Sequence, residues 1–250
     1  MSVDSQFILS HLSAVESERR ARLSTPDLEA RVVDVKKYQQ LRFCHTYADL
    51  LASSRYGAAS RFFLDELYGP TDFTQRDHQF ARVVPALVKL FPQEIVDTVG
   101  ALSELHALSE ALDTQMGLHL KSALTRASYV RAWQATGRSA DREEQIRLTS
   151  AVAGKLDRLT RNVLIRKSLQ LMRRPARAAG LADLQQFLER GFATFQAMKG
   201  ATDFIATIQI RERALASALF AASCEVSDIG ANNTNGCDLL PSSSQDQSEL

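Results

Sequence analysis

The sequence predicts an all-α protein: a single antiparallel bundle of about seven to eight helices with a disordered C-terminal tail. Three observations carry this. Ala, Leu, Gln, Glu and Arg dominate, and only 6 prolines punctuate 250 residues, a composition that favours helix. Apolar residues recur at spacings of three and four, and no segment alternates convincingly as a strand. The connections between periodic segments are short, which brings consecutive helices together antiparallel.

The first clear helix runs from about residue 25 toward residue 68, with Thr25 as cap, Pro26 at the first helical position and a possible interruption near Gly57. Its stripe is read as Leu41, Cys44, Ala48, Leu51, Ala52, Ala59, Phe62 and Phe63. Gly69 and Pro70 stop it, because glycine accepts a left-handed cap and proline cannot continue the ladder. Asp72 or Thr74 caps the next helix, with the stripe Phe80, Val83, Val84, Leu87 and Phe91 and a kink expected at Pro85. After Pro92 a third helix carries Ala101, Leu102, Leu105, Leu108, Leu112, Met116 and Leu120. A segment with Tyr129, Val130 and Trp133 breaks at Gly137. Asp141 and Glu144 read as a capping box for a basic helix whose apolar face shifts halfway round after Val163. Pro175 and Gly180 read as a linker, Asp183 opens a helix that Gly200 breaks, and Thr202 or Asp203 starts the last one. Three segments result: a helical or flexible stretch at 1–24, a bundle domain at 25–224, and a tail at 225–250 rich in Ser, Asn, Asp, Gln and Gly.

A hydrophobic content of 45% with 24% charged residues is ordinary for a soluble globular chain. No apolar run approaches the roughly 20 residues that a membrane span needs. The first residues show no long apolar core of a signal peptide, so a cytoplasmic location is expected. Cys44, Cys224 and Cys237 form no paired framework, which suits a reducing compartment. The net charge of +1 hides an asymmetry. Residues 121–180 hold 14 Lys and Arg against 4 Asp and Glu, a net of +10, so the remainder carries −9.

In a helical bundle function sits where inward positions are polar, because burying such groups is costly unless they are paired or bind something. His45, Arg55 and Glu66 fall among the apolar positions of the first helix, His119 continues the stripe of the third, and Arg211 stands between Ile208 and Leu215. Beside the third helix's stripe His106, Glu110 and Asp113 form a band at i, i+4 and i+7. These eight are the candidate ligand-binding residues. A structural reading accounts for most of them: Glu66 with Arg55 or Arg211 as a partly buried ion pair, and the band as a solvated edge. The sharper reading is a cofactor site. A di-metal bundle needs Glu-x-x-His, and Glu104-Leu105-His106 has the wrong spacing. A haem-oxygenase-like bundle needs one inward His, for which His45 and His119 qualify. No metal set and no defined cofactor emerges, and phosphate-loop, dinucleotide, hydrolase and zinc-protease motifs are absent from the sequence. Arg147, Lys155, Arg158, Arg161, Arg173 and Arg174 form a basic surface that could hold phosphates, though no helix-turn-helix accompanies it.

At FFLDELYGPTDFTQRD, followed by RVVPALVKLFP, the chain resembles a family of uncharacterised bacterial helical proteins. GRSADREEQI and FLERGFATFQAMKGATDFIATIQIRERAL add to the resemblance, which spans about residues 38–220. It implies a helical fold and no reaction, cofactor or catalytic residue. The leading functional expectation is a non-enzymatic cytoplasmic adaptor or regulator acting through protein–protein contact. A ligand- or cofactor-binding bundle comes second, and nucleic-acid binding through residues 121–180 third.

Overall fold

A computed structural model describes residues 3–66, 73–221 and 239–241. The described residues form eleven α-helices rather than seven or eight: α1 (Ser5–Leu23), α2 (Leu28–Thr46), α3 (Ala48–Ala52), α4 (Gly57–Glu66), α5 (Thr74–Leu90), α6 (Gln93–His119), α7 (Arg126–Thr136), α8 (Ser139–Thr160), α9 (Val163–Ala178), α10 (Ala182–Ala197) and α11 (Thr202–Phe220). None of them is long and apolar enough to cross a membrane.

The extra helices come from breaks that periodicity alone does not reveal. The first long helix divides into α2, α3 and α4. It starts at Leu28, because Asp27 takes a left-handed conformation at φ 59°. It breaks at Tyr47 and again after Ala52. The basic helix divides at Arg161 and Asn162, where the Asn162 side chain caps α9 by accepting from the Leu164 amide at 2.9 Å. That break explains the apparent rotation of the apolar face. Pro175 lies inside α9 rather than in a linker, and the chain turns at Gly180 with φ +71°. The capping box belongs to α7, where Thr125 and Ser128 bond reciprocally. Asp141 instead holds Arg138 at 2.5 Å. The turn at residues 67–72 lies outside the described residues.

The long helix α6 is the axis of the fold, with α1, α2, α7 and α8 packed along it. Gly117 permits a close approach of α2: a Cβ there would lie 2.6 Å from Val32 Cγ2. Residues 5–23, expected as part of a helical or flexible stretch ahead of the bundle, form a helix packed on α6. Asp4 caps α1, and Ile8, Leu12 and Val15 are buried.

Among the described residues three apolar clusters fill the interior. Val35, Tyr38, Met116, Tyr129, Val130, Trp133, Leu215 and Leu219 join α2, α6, α7 and α11. Phe43, Tyr47, Phe63, Phe195, Phe204 and Ile208 join α2, α4, α10 and α11. Ile8, Leu12, Val84 and Val96 join α1, α5 and α6. Of the expected tail at 225–250 only residues 239–241 are described, and they are not loose. Leu240 is buried in the first cluster, and the Leu239 carbonyl accepts from Thr46 Oγ1 at 2.8 Å.

The stripe read on the first helix is corrected in part. Ala59, Phe62 and Phe63 are buried as expected, whereas Ala48 and Ala52 are exposed. The buried face of α2 is Val32, Val35, Tyr38, Gln39, Arg42, Phe43 and Thr46. Three of those seven side chains are polar, so a search for apolar residues alone selects the wrong face.

Candidate functional site

The band of His106, Glu110 and Asp113 on α6 faces inward, not toward solvent, and forms the polar centre of the molecule. Glu110 stands between two cations. Lys36 Nζ of α2 lies 2.6 Å from its Oε1, and Arg22 Nη2 of α1 lies 2.6 Å from its Oε2. Arg22 is only 2% exposed and is further anchored: Nη2 donates to the Glu110 carbonyl at 2.7 Å and Nε to Thr114 Oγ1 at 2.8 Å. Burial alone would raise the Glu110 pKa, but Lys36 and Arg22 more than offset it and hold the carboxyl at about 2.

One turn earlier, His106 Nε2 lies 3.0 Å from Asp77 Oδ2 of α5, which also accepts from Arg19 of α1 at 2.7 Å. Burial opposes the Asp77 charge, and His106 and Arg19 overcome it, so its pKa is lowered. One turn later, Asp113 Oδ1 accepts from Gln39 Nε2 at 2.9 Å. No cation reaches Asp113 within ion-pair distance among the described residues, and burial leaves its pKa raised despite the nearby Lys36.

A second polar knot lies beside the first. Glu212 Oε1 of α11 accepts from Arg42 Nη1 at 2.7 Å and from Tyr47 Oη at 2.6 Å. Burial disfavours the Arg42 charge, yet Glu212 secures it and its pKa is raised. Buried Arg142 of α8 has no carboxylate within ion-pair distance among the described residues. It stacks 3.9 Å over the Trp133 ring and bonds Gln145 Oε1 at 3.0 Å and Met116 Sδ at 3.1 Å. Burial lowers its pKa.

The eight candidate residues do not surround one cavity. Only His106, Glu110 and Asp113 share a face. His45 is exposed on the outer side of α2, which corrects its inward placement: the core face of that helix passes through Arg42 and Thr46 instead. Arg55 holds the end of α10, donating to the carbonyls of Met198 at 2.9 Å and Gly200 at 3.0 Å. Glu66 pairs with neither Arg55 nor Arg211; it meets Arg190 at 2.5 Å and Arg76 at 3.6 Å. Arg211 forks onto exposed Asp49 at 2.6 and 2.8 Å. His119 is half-buried at the end of α6, on a shallow groove of about 230 Å³ lined also by Lys121, Ser128 and Arg131.

Nor do the six basic candidates form one stripe. Arg147 pairs with Glu144, Arg158 with Glu94, Arg161 with Asp157 and Arg173 with Glu189, while Lys155 donates to the Asp97 carbonyl at 3.0 Å. Arg174 is exposed on α9. Sequence reading missed Arg22, Lys36, Gln39, Arg42, Asp77, Arg142 and Glu212. A signal existed for two of them: Val35, Gln39, Arg42 and Thr46 stand at i, i+4, i+7 and i+11.

Several of the exposed large apolar side chains belong to α9. Leu164 is 71% exposed, Leu171 78% and Met172 48%, and only Ala176 of that helix is buried. α9 packs against α10 and α8 and carries five Lys and Arg with no Asp or Glu. Among the described residues only Arg173 of those five forms an ion pair.

No curated protein matches the chain, and no solved structure does. One family model matches residues 18–226, most of the chain and all helices from α2 to α11. The chain belongs to that family, described as a domain of unknown function (DUF8198).

Proposed function

We propose that this is a non-enzymatic cytoplasmic adaptor or regulatory protein that acts through protein–protein contact, with α9 as its docking element. One observation carries the reading: Leu164, Leu171 and Met172 stand open to solvent on a single helix whose opposite face is basic. Fully burying each such side chain is worth roughly 1.5–3 kcal/mol, and the fold leaves most of that unrealised. Scattered exposed leucines are ordinary, but apolar side chains gathered on one helix face with cations along one flank mark an interaction surface.

The polar interior supports the same view. Glu110 pairs with both Arg22 and Lys36, and Glu212 with Arg42, so these groups are engaged within the fold and serve to hold α1, α2, α6 and α11 in register. A body fixed in this way is a rigid carrier for an exposed helix.

The test is site-specific photo-crosslinking in the native cell. A photoreactive amino acid at Leu171 is expected to give discrete protein adducts that are lacking when it stands at exposed Ala140. Identical adduct patterns from the two positions, or none from Leu171, would overturn the reading.

A further inference from the structure

Leu164, Ser168, Leu171, Pro175 and Ala178 stand at i, i+4, i+7, i+11 and i+14 along α9, and all five are exposed. This is the three-four spacing of a coiled-coil seam. Ile165 and Leu169 are half-buried and Ala176 is buried, so the neighbouring face of α9 is the one taken up by the body of the protein. Over its first four positions the exposed seam alternates large and small: Leu164 and Leu171 at one repeat position, which ends on Ala178, and Ser168 and Pro175 at the other. A facing helix would find holes over the small residues and receive the leucines as knobs.

The flanks of the seam differ. Lys167 and Arg174 line one side, seven residues apart and exposed, with no ion pair among the described residues. Ile165 and Met172 line the other. In a two-helix seam these flanking positions meet the flanks of the partner, where opposite charges select and orient it.

We propose that α9 is one half of such a seam and that its occupant is an acidic amphipathic helix of a partner protein. That helix sets large apolar side chains over Ser168 and Pro175 and carboxylates beside Lys167 and Arg174. The inference rests on the docking reading above and adds the chemistry of the partner. A second copy of this chain fits less well, because it would lay one acid-free basic helix against another. A bilayer fits less well too, since interfacial helices rim an apolar face with cations on both sides, and here one rim is apolar.

The probes are two synthetic peptides of three heptads, both with Leu at the seam positions, one with Glu and one with Lys at the flanks. Binding is read by fluorescence anisotropy and by the gain of helical circular dichroism on mixing. The Glu peptide is expected to bind at least tenfold more tightly than the Lys peptide, with the difference shrinking from 50 to 500 mM NaCl. Leu164→Glu with Leu171→Glu is expected to weaken the Glu peptide at least tenfold. Lys167→Glu with Arg174→Glu is expected to reverse the preference between the peptides. All four positions are exposed, and an unchanged melting curve checks that each variant folds. Equal affinity for both peptides, an affinity indifferent to the leucine substitutions, or binding to neither would overturn the proposal. So would binding to phosphatidylglycerol vesicles with no binding to peptide, which would assign the strip to a membrane. Protein adducts from Leu171 alongside a failed peptide test would leave the docking reading standing and remove only the acidic helix.

Discussion

Replacing Glu110 by Gln removes one negative charge and keeps the size and shape of the side chain. Its carboxylate is the shared partner of Arg22 and Lys36, each at 2.6 Å. Arg22 is 2% exposed, so water cannot take over the lost role. Breaking a buried pair by removing one partner costs about 3–5 kcal/mol, because the surviving charge stays desolvated. The carboxyl's own titration leads to a similar figure. A folded pKa of about 2 against an unfolded value near 4.3 corresponds to about 3 kcal/mol of stabilisation at neutral pH. For a domain of this size that loss lowers the melting temperature by roughly 6–20 °C. The assay is thermal and urea unfolding followed by circular dichroism at pH 7, wild type beside Glu110→Gln. The triple variant Glu110→Leu, Arg22→Met, Lys36→Met serves as control and is expected to recover most of the loss, since a matched apolar set needs no counter-charge. A single variant melting within about 2 °C of wild type would refute the argument that these three groups hold α1, α2 and α6 together.

Three further outcomes follow from the same geometry. Because the folded pKa of Glu110 lies below its unfolded value, its contribution is complete above about pH 4.5 and fades as pH falls toward 2; wild type and Glu110→Gln should therefore converge in urea midpoint across that window, and a constant gap would contradict the assignment. Asp113→Asn is expected to leave stability at pH 7 unchanged or raised by up to about 1 kcal/mol, because burial already disfavours the charge that the substitution removes; a melting temperature lowered by 8 °C or more would show that Asp113 is needed as an anion. Gly117→Ala places a Cβ 2.6 Å from Val32 Cγ2 and 3.4 Å from the Val32 amide nitrogen, so overpacking should cost about 1–3 kcal/mol despite the better helix propensity of Ala, and a stabilised variant would show that α2 can move away.

Local backbone chemistry made part of this molecule legible. The starts of α6 after Pro92 and α11 at Thr202, and the breaks near Gly137 and Gly200, follow from residues that restrict or free the chain at those points. The α6 band was also visible, since an i, i+4, i+7 spacing sets three groups on one face of any helix. Whether that face was wet or dry was not, because nothing within α6 states what lies across from it. The breaks at Tyr47 and Asn162 were missed for a related reason: periodicity carries over a short break when both halves are apolar.

Taken alone, then, the order of residues determined the helical class, several helix boundaries such as the starts of α6 and α11, and the asymmetry that concentrates Lys and Arg in residues 121–180. Tertiary structure decided which polar groups are sealed from water and which apolar ones are left outside. Arg22 and Lys36 reach Glu110 from 88 and 74 residues away, and His45 and Arg42, three residues apart on one helix, face solvent and core respectively. The physical reason is that the cost of a charge and the worth of a leucine depend on the surroundings, and the surroundings of a helix face are supplied by distant parts of the chain.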